Sequence, residues 1–126
     1  MKSITCSGTV RIPLPPDRAR ELFTAEGERA WAPGWDPAYP GGHDRVFVTH
    51  EGATVWVALG DLRYARVTPG VQAGTVEVRC APDGDGTRAE VTYDLTALGP
   101  DADLAAFRAG FPAMMEAWEA SIAAAL

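Results

Sequence analysis

The segment after Gly99-Pro100 constrains the fold most, because its apolar residues recur in steps of mostly three and four. This spacing predicts a long amphipathic helix whose apolar stripe must be buried against another element of the chain. The stripe consists of Leu104, Phe107, Phe111, Met114, Met115, Trp118, Ile122 and Leu126. The rest of the chain must therefore supply a surface long enough to cover it.

That surface is predicted in residues 45–98, where short strand segments alternate with turn signals. The turns lie at Glu51-Gly52, Gly60-Asp61, Pro69-Gly70 and Asp83-Gly84-Asp85-Gly86. Consecutive strands joined by such turns predict a five-stranded antiparallel meander. A further strand is predicted over residues 3–12, where apolar and polar residues alternate.

Between the first strand and the meander, the sequence predicts two short helices and a loop. A proline run ends the first strand, and one helix begins near Pro16 or Asp17. A second short helix is predicted over residues 25–30. Residues 31–42 are too rich in Pro and Gly for regular structure and form either an ordered aromatic loop or a disordered one. The aromatic residues in this segment favour order.

These elements bury their apolar faces together if the sheet curls around the long helix. The sequence therefore predicts an α+β helix-grip fold: a curved antiparallel sheet of about six strands, two short helices after strand 1 and a long C-terminal helix. At 126 residues, the chain has the length of a single domain, residues 1–126. A core of this size needs neither disulfides nor a structural metal.

The order of these elements, together with several short runs, resembles the SRPBCC (START-like, polyketide cyclase/dehydrase-like) superfamily over nearly the whole chain. The runs are Glu28-Arg-Ala-Trp-Ala-Pro-Gly-Trp-Asp-Pro, Thr54-Val-Trp-Val, Tyr64-Ala-Arg-Val-Thr-Pro-Gly, Val91-Thr-Tyr and Met114-Met-Glu-Ala-Trp. The superfamily holds lipid carriers, plant hormone receptors, polyketide cyclases and aromatases, and co-chaperones. The resemblance implies the fold and a cavity between sheet and helix, and it transfers no catalytic motif to this chain.

Charge and composition exclude several classes of partner. There are 17 acidic and 11 basic residues, for a net charge of −6, which opposes the positive surface that nucleic acids require. No apolar run is long enough to span a bilayer, and the start of the chain lacks the apolar core of a secretory signal. We expect a cytoplasmic protein that binds no nucleic acid and does not insert into membranes.

No cofactor, metal site or nucleophile is expected from the sequence. Cys6 and Cys80 are too few and too far apart for a disulfide scaffold or a thiolate zinc site, and we expect both in the core. His43 and His50 lack metal-ligand spacing, and neither a nucleophile elbow nor a phosphate-binding loop is present. General acid or base chemistry in the cavity remains open, so whether the protein is an enzyme is undecided.

Turn lengths predict which strand residues face the cavity, because a hairpin loop fixes the residues that lie opposite one another. A four-residue turn at 83–86 pairs Val76 with Tyr93, and a three-residue turn at 69–71 places Val76 beside Tyr64 and Gly74 beside Arg66. Tyr64, Arg66 and Tyr93 are therefore predicted to point inward. Arg66 either pairs with a core carboxylate or reaches the rim, or it binds a ligand carboxylate or phenolate.

The hairpin at Gly60-Asp61 allows two registers. A two-residue turn, which we favour, sends Val55, Val57 and Leu59 inward and leaves Trp56 outside, opposite Phe47. That outer aromatic pair would suit a homodimer contact. A three-residue turn would instead send Trp56 into the cavity.

The predicted function is the binding of a small apolar or weakly acidic organic ligand between the sheet and the C-terminal helix. Trp31 and Trp35 either plug the core or cover the ligand, and the helix residues either fill the core or form pocket walls. Two alternatives are a cyclase or dehydratase-like enzyme acting on a polyketide-type substrate, and a co-chaperone-like interaction protein. The predicted ligand-binding residues are Trp31, Trp35, Tyr64, Arg66, Tyr93, Phe107, Phe111, Met115 and Trp118.

Overall fold

The computed structural model describes residues 2–126 and contains six strands, two helices and two 3-10 helices. The strands are β1 (Ser3–Ile12), β2 (Val46–Thr49), β3 (Thr54–Gly60), β4 (Arg63–Thr68), β5 (Gln72–Asp83) and β6 (Gly86–Ala97). Helix α1 (Pro16–Ala19) continues into a 3-10 helix at Arg20–Phe23, and the second 3-10 helix spans Gly27–Ala30. The chain closes with α2 (Leu104–Ala125).

All six strands form one curved antiparallel sheet in the order β1-β6-β5-β4-β3-β2. The first strand adds beside the last one, and the others follow as a meander. Helix α2 begins at Asp103, whose carboxylate accepts a hydrogen bond of 2.9 Å from the Ala106 N–H, as an N-cap residue does. The helix packs mostly against β1. The predicted helix-grip fold is confirmed, including the short helices after strand 1.

Two of the predicted hairpin registers are confirmed. Val76 lies opposite both Tyr93 on β6 and Tyr64 on β4, and Gly74 lies opposite Arg66. Position 74 requires glycine because an added Cβ would lie only 1.7 Å from the carbonyl oxygen of Asp94. Tyr64 and Arg66 consequently face inward, and Tyr93 lies deep in the core.

The favoured register of the β3–β4 hairpin is wrong. Leu59 lies in a register shift between Ala58 and Gly60, and the turn itself is Asp61-Leu62. Leu62 has a φ of 51°, which turn rules assign to Gly or Asn, but its side chain is buried. One extra residue on a strand exchanges its two faces, so this shift moves Trp56 inward, opposite Arg66.

This correction removes the predicted dimer contact. Phe47 and Trp56 are 1% and 7% exposed. Their rings stack on the inner face of the sheet, with centroids 5.8 Å apart. Val57 and Leu59, which the favoured register sent inward, are exposed. The outer face of β3 therefore carries aliphatic side chains instead of aromatic rings.

The loop after the second 3-10 helix is ordered by its tryptophans. The Trp31 indole N–H donates to the Leu22 carbonyl at 2.8 Å, and the Trp35 indole N–H donates to the Ala25 carbonyl at 2.7 Å. Both indoles are thereby fixed to the short-helix segment. Of the two interpretations of residues 31–42, the ordered aromatic loop is the one observed.

One part of the core, where α2 meets β1, is closely packed. Phe111, Met115 and Ile122 are buried here, and Ile122 is 0% exposed. A Cβ on Gly8 of β1 would lie 2.7 Å from Met115 Cγ and 3.0 Å from a Phe111 ring carbon. Glycine at this point lets the helix approach the strand closely.

Cys6 is buried as expected, whereas Cys80 is half-buried, and both are free thiols. No helix within residues 2–126 is long and apolar enough to cross a membrane. Over the same described residues, no group of three or more His, Cys, Asp or Glu side chains is arranged to hold a metal ion.

Candidate functional site

A cavity of about 410 Å³ lies between the inner face of β3–β6, helix α2 and the segment from Phe23 to Trp35. Its volume is in the range of small-molecule sites, which run from roughly 300 to 1,000 Å³. Aromatic rings form most of its wall: Phe23, Trp31, Trp35, Trp56, Tyr64, Tyr93, Phe107 and Trp118. The aliphatic part includes Val76, Val78 and Met114, and the polar groups are Glu28, His50, Arg66 and Ser121.

The structure brings together seven of the nine predicted ligand-binding residues: Trp31, Trp35, Tyr64, Arg66, Tyr93, Phe107 and Trp118. Phe111 and Met115 do not line this cavity and pack over Gly8 on the β1 side of α2. They share the apolar stripe of α2 with Phe107 and Trp118, but they lie over a different part of the sheet. These two predicted ligand-binding residues therefore lie outside the cavity.

All four tryptophans of the chain line the cavity. Trp31 and Trp118 meet edge to face with ring centroids 5.3 Å apart, and Trp35 and Trp56 meet in the same way at 5.5 Å. These separations are typical of stabilising aromatic pairs. The indoles therefore hold one another as a preformed apolar wall.

Arg66 is the cationic group of the cavity. Its guanidinium carbon lies 5.2 Å from the centroid of the Trp56 ring and 5.9 Å from that of Tyr93, within cation–π distance of both. Its Nε is buried and has no hydrogen-bond partner within residues 2–126. Burial lowers the pKa of Arg66 because it penalises the charged form. Of the alternatives left open for Arg66, pairing with a core carboxylate is not observed within residues 2–126.

Two tyrosine hydroxyls accompany this cation. Tyr64 donates a long hydrogen bond of 3.4 Å to the carbonyl of Phe23, which ties β4 to the short helices. Burial raises the pKa of Tyr64 and that of the more deeply buried Tyr93. Both phenols therefore stay protonated near Arg66, and the one O–H of Tyr64 is used in the bond to Phe23.

Glu28, which the sequence reasoning missed, is the acidic group of the cavity. Its side chain is half-buried, lines the cavity, and forms neither an ion pair nor a side-chain hydrogen bond with any residue of the described chain. Burial raises the pKa of Glu28 to about 8, so the carboxyl is mostly neutral at pH 7. A signal was present: Glu28 precedes Trp31 by three residues, and residues i and i+3 eclipse one another on a 3-10 helix.

The backbone around Glu28 is fixed by local contacts. The Gly27 N–H donates to Thr24 Oγ1 at 3.0 Å, and the Glu28 N–H donates to the carbonyl of Thr24 at 3.0 Å. A Cβ at Gly27 would lie only 1.8 Å from the Glu21 carbonyl oxygen, so this turn needs glycine. These contacts set the start of the 3-10 helix that carries Glu28 toward the cavity.

A hydrogen-bonded chain lies at the side of the cavity formed by the β2–β3 turn. Trp56 Nε1 donates to Thr49 Oγ1 at 2.9 Å, and Thr49 Oγ1 lies 2.9 Å from His50 Nδ1. His50 is exposed and also contacts the cavity, so it stands at the opening. The chain holds the Trp56 ring in place beside Arg66.

The fold is shared with solved structures of low sequence identity. Ara h 8.0201 matches with a TM-score of 0.66 at 12% identity, over 98% of this chain and 99% of that chain. CalU16 from Micromonospora echinospora matches with a TM-score of 0.62 at 18% identity, over 93% of this chain and 71% of that chain. PFC0360w, an HSP90 activator from Plasmodium falciparum, matches with a TM-score of 0.53 at 12% identity, over 94% of this chain and 90% of that chain.

No protein-family model and no curated protein sequence matches the chain. The structural likeness nevertheless extends over nearly the whole chain and includes the six-stranded sheet and the C-terminal helix. The chain therefore has a helix-grip fold, the fold that the resemblance in its sequence implied. At these identities, the likeness establishes the fold alone.

Proposed function

We propose that the protein binds a small, weakly acidic organic molecule whose apolar body fills the aromatic cavity and whose anionic group contacts Arg66. The observation that carries this proposal is the buried Arg66 Nε, which has no partner within residues 2–126. A buried donor without a partner costs about 1–3 kcal/mol, and more when it is charged. A carboxylate or phenolate oxygen of a ligand would satisfy it with a charge-assisted hydrogen bond.

The apolar body of the ligand is suggested by the rest of the wall. Eight aromatic side chains surround the space, and the indoles of Trp31 and Trp35 are already held by the backbone. Pockets of this kind bind by burying apolar surface, with a few polar groups that fix orientation. Because these rings are held before any ligand binds, little conformational entropy would be lost on binding.

The two alternative functions receive unequal support. A cyclase or dehydratase-like reaction needs a group that exchanges protons inside the cavity, and Glu28 is a carboxyl in that position. The likeness to an HSP90 activator concerns the fold, and a co-chaperone-like role would need exposed aromatic side chains. The large apolar side chains exposed within residues 2–126 are all aliphatic: Val57, Leu59, Leu98 and Leu126.

A matched pair of fluorescent probes tests the proposal. 8-Anilinonaphthalene-1-sulfonate carries an anionic group, and N-phenyl-1-naphthylamine has the same rings without it. Both probes accept energy from tryptophan, and all four tryptophans line the cavity. We expect both to bind the parent, with the sulfonate probe bound more tightly.

The variant Arg66→Met isolates the contribution of the guanidinium. It should weaken binding of the sulfonate probe by roughly 10- to 100-fold, because one charge-assisted hydrogen bond is lost. Binding of the neutral probe should change by less than about threefold. The control is Arg79→Met, because Arg79 is exposed and pairs with Glu77 outside the cavity. Equal loss of the sulfonate probe in both arginine variants, or no binding of either probe to the parent, would contradict the proposal.

A further inference from the structure

Ligand binding accounts for Arg66 but not for Glu28. The half-buried Glu28 side chain lines a cavity with mainly aromatic walls, yet it makes no side-chain hydrogen bond or ion pair with any residue in the described part of the chain, 2–126. A carboxyl that faces apolar side chains is rare unless it is paired. No contact within residues 2–126 gives the Glu28 carboxyl a structural role.

Glu28 and Arg66 reach the same cavity from different elements. Glu28 lies on the 3-10 helix Gly27–Ala30, and Arg66 lies on β4. The two do not form an ion pair. Tyr93 lies close enough to both that each affects the pKa of its phenol, Arg66 lowering it and Glu28 raising it. A ligand that fills the cavity would therefore lie between an acid and a cation.

We propose that Glu28 is a general acid and base that moves a proton on an enolisable carbonyl compound, while Arg66 binds the oxygen on which negative charge develops. This activity rests on the proposed binding function, because it uses the same cavity and the same contact with Arg66. It assigns a reaction to the site: the isomerisation of a carbonyl compound through its enolate. Glu28 would be a catalytic residue, and Arg66 would stabilise the charged intermediate.

The step balances without any co-reactant. The C–H bond next to the carbonyl breaks, and its proton goes to an oxygen of the Glu28 carboxylate. The electron pair forms a C=C bond and moves the carbonyl electrons onto oxygen, which the guanidinium of Arg66 binds. If the enolate is conjugated, Glu28 returns the same proton to a different carbon, and a positional isomer results. Nothing is oxidised or reduced.

The apolar cavity suits this chemistry. Glu28 faces mainly aromatic rings, so its carboxylate is poorly solvated and strongly basic, which favours proton abstraction near neutral pH. The other ionisable groups that line the cavity are Arg66 and Tyr64 on β4, Tyr93 on β6 and His50 in the β2–β3 turn. The tyrosines stay neutral because burial raises the pKa of each. The carboxylate fraction of Glu28 thus sets the rate of the first step.

The ring opening of 5-nitrobenzisoxazole is a test that needs no knowledge of the natural substrate. A base removes the proton on carbon, the N–O bond breaks, a nitrile forms, and a coloured phenolate is released. Negative charge would develop on the phenolate oxygen, which the guanidinium of Arg66 would bind. We expect the parent to accelerate this reaction above buffer, with a rate that rises with pH, is half-maximal near pH 8 and levels off above it.

Glu28→Gln should lower the rate by about 100-fold or more, which is the size of a general-base contribution. Arg66→Met should lower it less, because it removes stabilisation of the oxygen and leaves the base. The matched control Glu90→Gln changes an exposed carboxyl on β6 and should leave the rate unchanged. Circular dichroism and binding of the neutral probe N-phenyl-1-naphthylamine verify that the variants are folded with an intact cavity.

The outcomes separate the two proposals. If Glu28→Gln binds both fluorescent probes as the parent does but keeps the ring-opening rate, Glu28 is not the base and the proton-transfer proposal fails while binding stands. Ring opening no faster than buffer in the parent overturns it as well. If neither fluorescent probe binds the parent, the binding function itself fails. A rate lost in Glu28→Gln with probe binding retained supports both.

Discussion

The two sides of the space beneath the sheet differ, although the same helix covers both. Where α2 meets β1, Phe111 and Met115 pack so closely on Gly8 that even a methyl group on the strand would collide with them. On the side of β3 and β4, the helix leaves a cavity of about 410 Å³ lined by Arg66 and Glu28, whose side chains form no ion pair within residues 2–126. We refer to these as the packed half and the cavity half.

The contrast indicates that the cavity half is not merely a poorly packed core. Close packing is attainable on this scaffold, as the contacts of Phe111 and Met115 with Gly8 demonstrate. In the cavity half, hydrogen bonds fix Trp31 and Trp35 to the short-helix segment, and Arg66 and Glu28 line the space where apolar residues could pack. Stability is given up in one half, and this pattern is typical of functional sites.

The largest predicted effect is the pH dependence that Glu28 imposes on stability. Its pKa is about 8 in the folded protein and near 4.5 when unfolded. Between these values, the folded state holds a proton that the unfolded state has lost, so stability falls as pH rises. From pH 5 to pH 8, the parent should lose about 4 kcal/mol of unfolding free energy relative to Glu28→Gln.

Urea denaturation of both proteins at several pH values between 4 and 9 measures this difference. The comparison with Glu28→Gln cancels the other titrating groups, including Glu26, whose pKa is lowered by hydrogen bonds to Tyr39 and Arg29. Parallel stability curves for the parent and the variant would mean that the Glu28 carboxyl is solvated. Glu28 would then no longer distinguish the cavity half from the packed half.

Substitution of two adjacent methionines of α2 allows a direct comparison of the two halves. Met115 is buried in the packed half, whereas Met114 is half-buried and lines the cavity. Met115→Ala should cost about 3 kcal/mol of unfolding free energy because it creates a void, and probe binding should not change. Met114→Ala should cost about 1 kcal/mol, because this side chain already borders empty space, and it should alter probe affinity.

Chemical denaturation and titration with N-phenyl-1-naphthylamine measure both methionine variants. If the two substitutions cost the same and affect the probe equally, the cavity does not exist as a separate half in solution. The two variants serve as controls for each other, since they remove the same side chain from neighbouring positions on one helix.

The smallest predicted effect is a gain in stability. Arg66→Met keeps most of the aliphatic stem and removes the buried guanidinium, so the free energy of unfolding without ligand should rise by about 1 kcal/mol. Arg79→Met should stay within about 0.5 kcal/mol of the parent, because Arg79 is exposed. A clear loss of stability in Arg66→Met would indicate that the guanidinium has a structural partner in solution.

The sequence predicted the fold because its strongest signals act over long segments. The apolar stripe of α2 and the four turn signals specify a helix and a meander, and turns of clear length placed Tyr64, Arg66 and Tyr93 correctly. The β3–β4 hairpin failed because a buried leucine, Leu62, occupies a turn position with positive φ. Turn rules read only local preference, and here tertiary burial of Leu62 overrides it.

The site was predicted less completely, for two physical reasons. The stripe of α2 identifies the buried face of the helix but not the strand that each residue covers, so Phe111 and Met115 were assigned to the cavity. Glu28 was missed because charged residues on short helices are mostly exposed, and four residues are too few for a periodic pattern. Its place at the cavity follows from the contacts of the whole loop.

A crystal structure of the protein with 8-anilinonaphthalene-1-sulfonate tests the central claim most directly. We predict that the rings lie among the tryptophans of the cavity half and that a sulfonate oxygen lies about 2.7–3.2 Å from a nitrogen of the Arg66 guanidinium. The packed half should remain unchanged. A sulfonate bound to a surface arginine, or rings lodged between α2 and β1, would contradict the account.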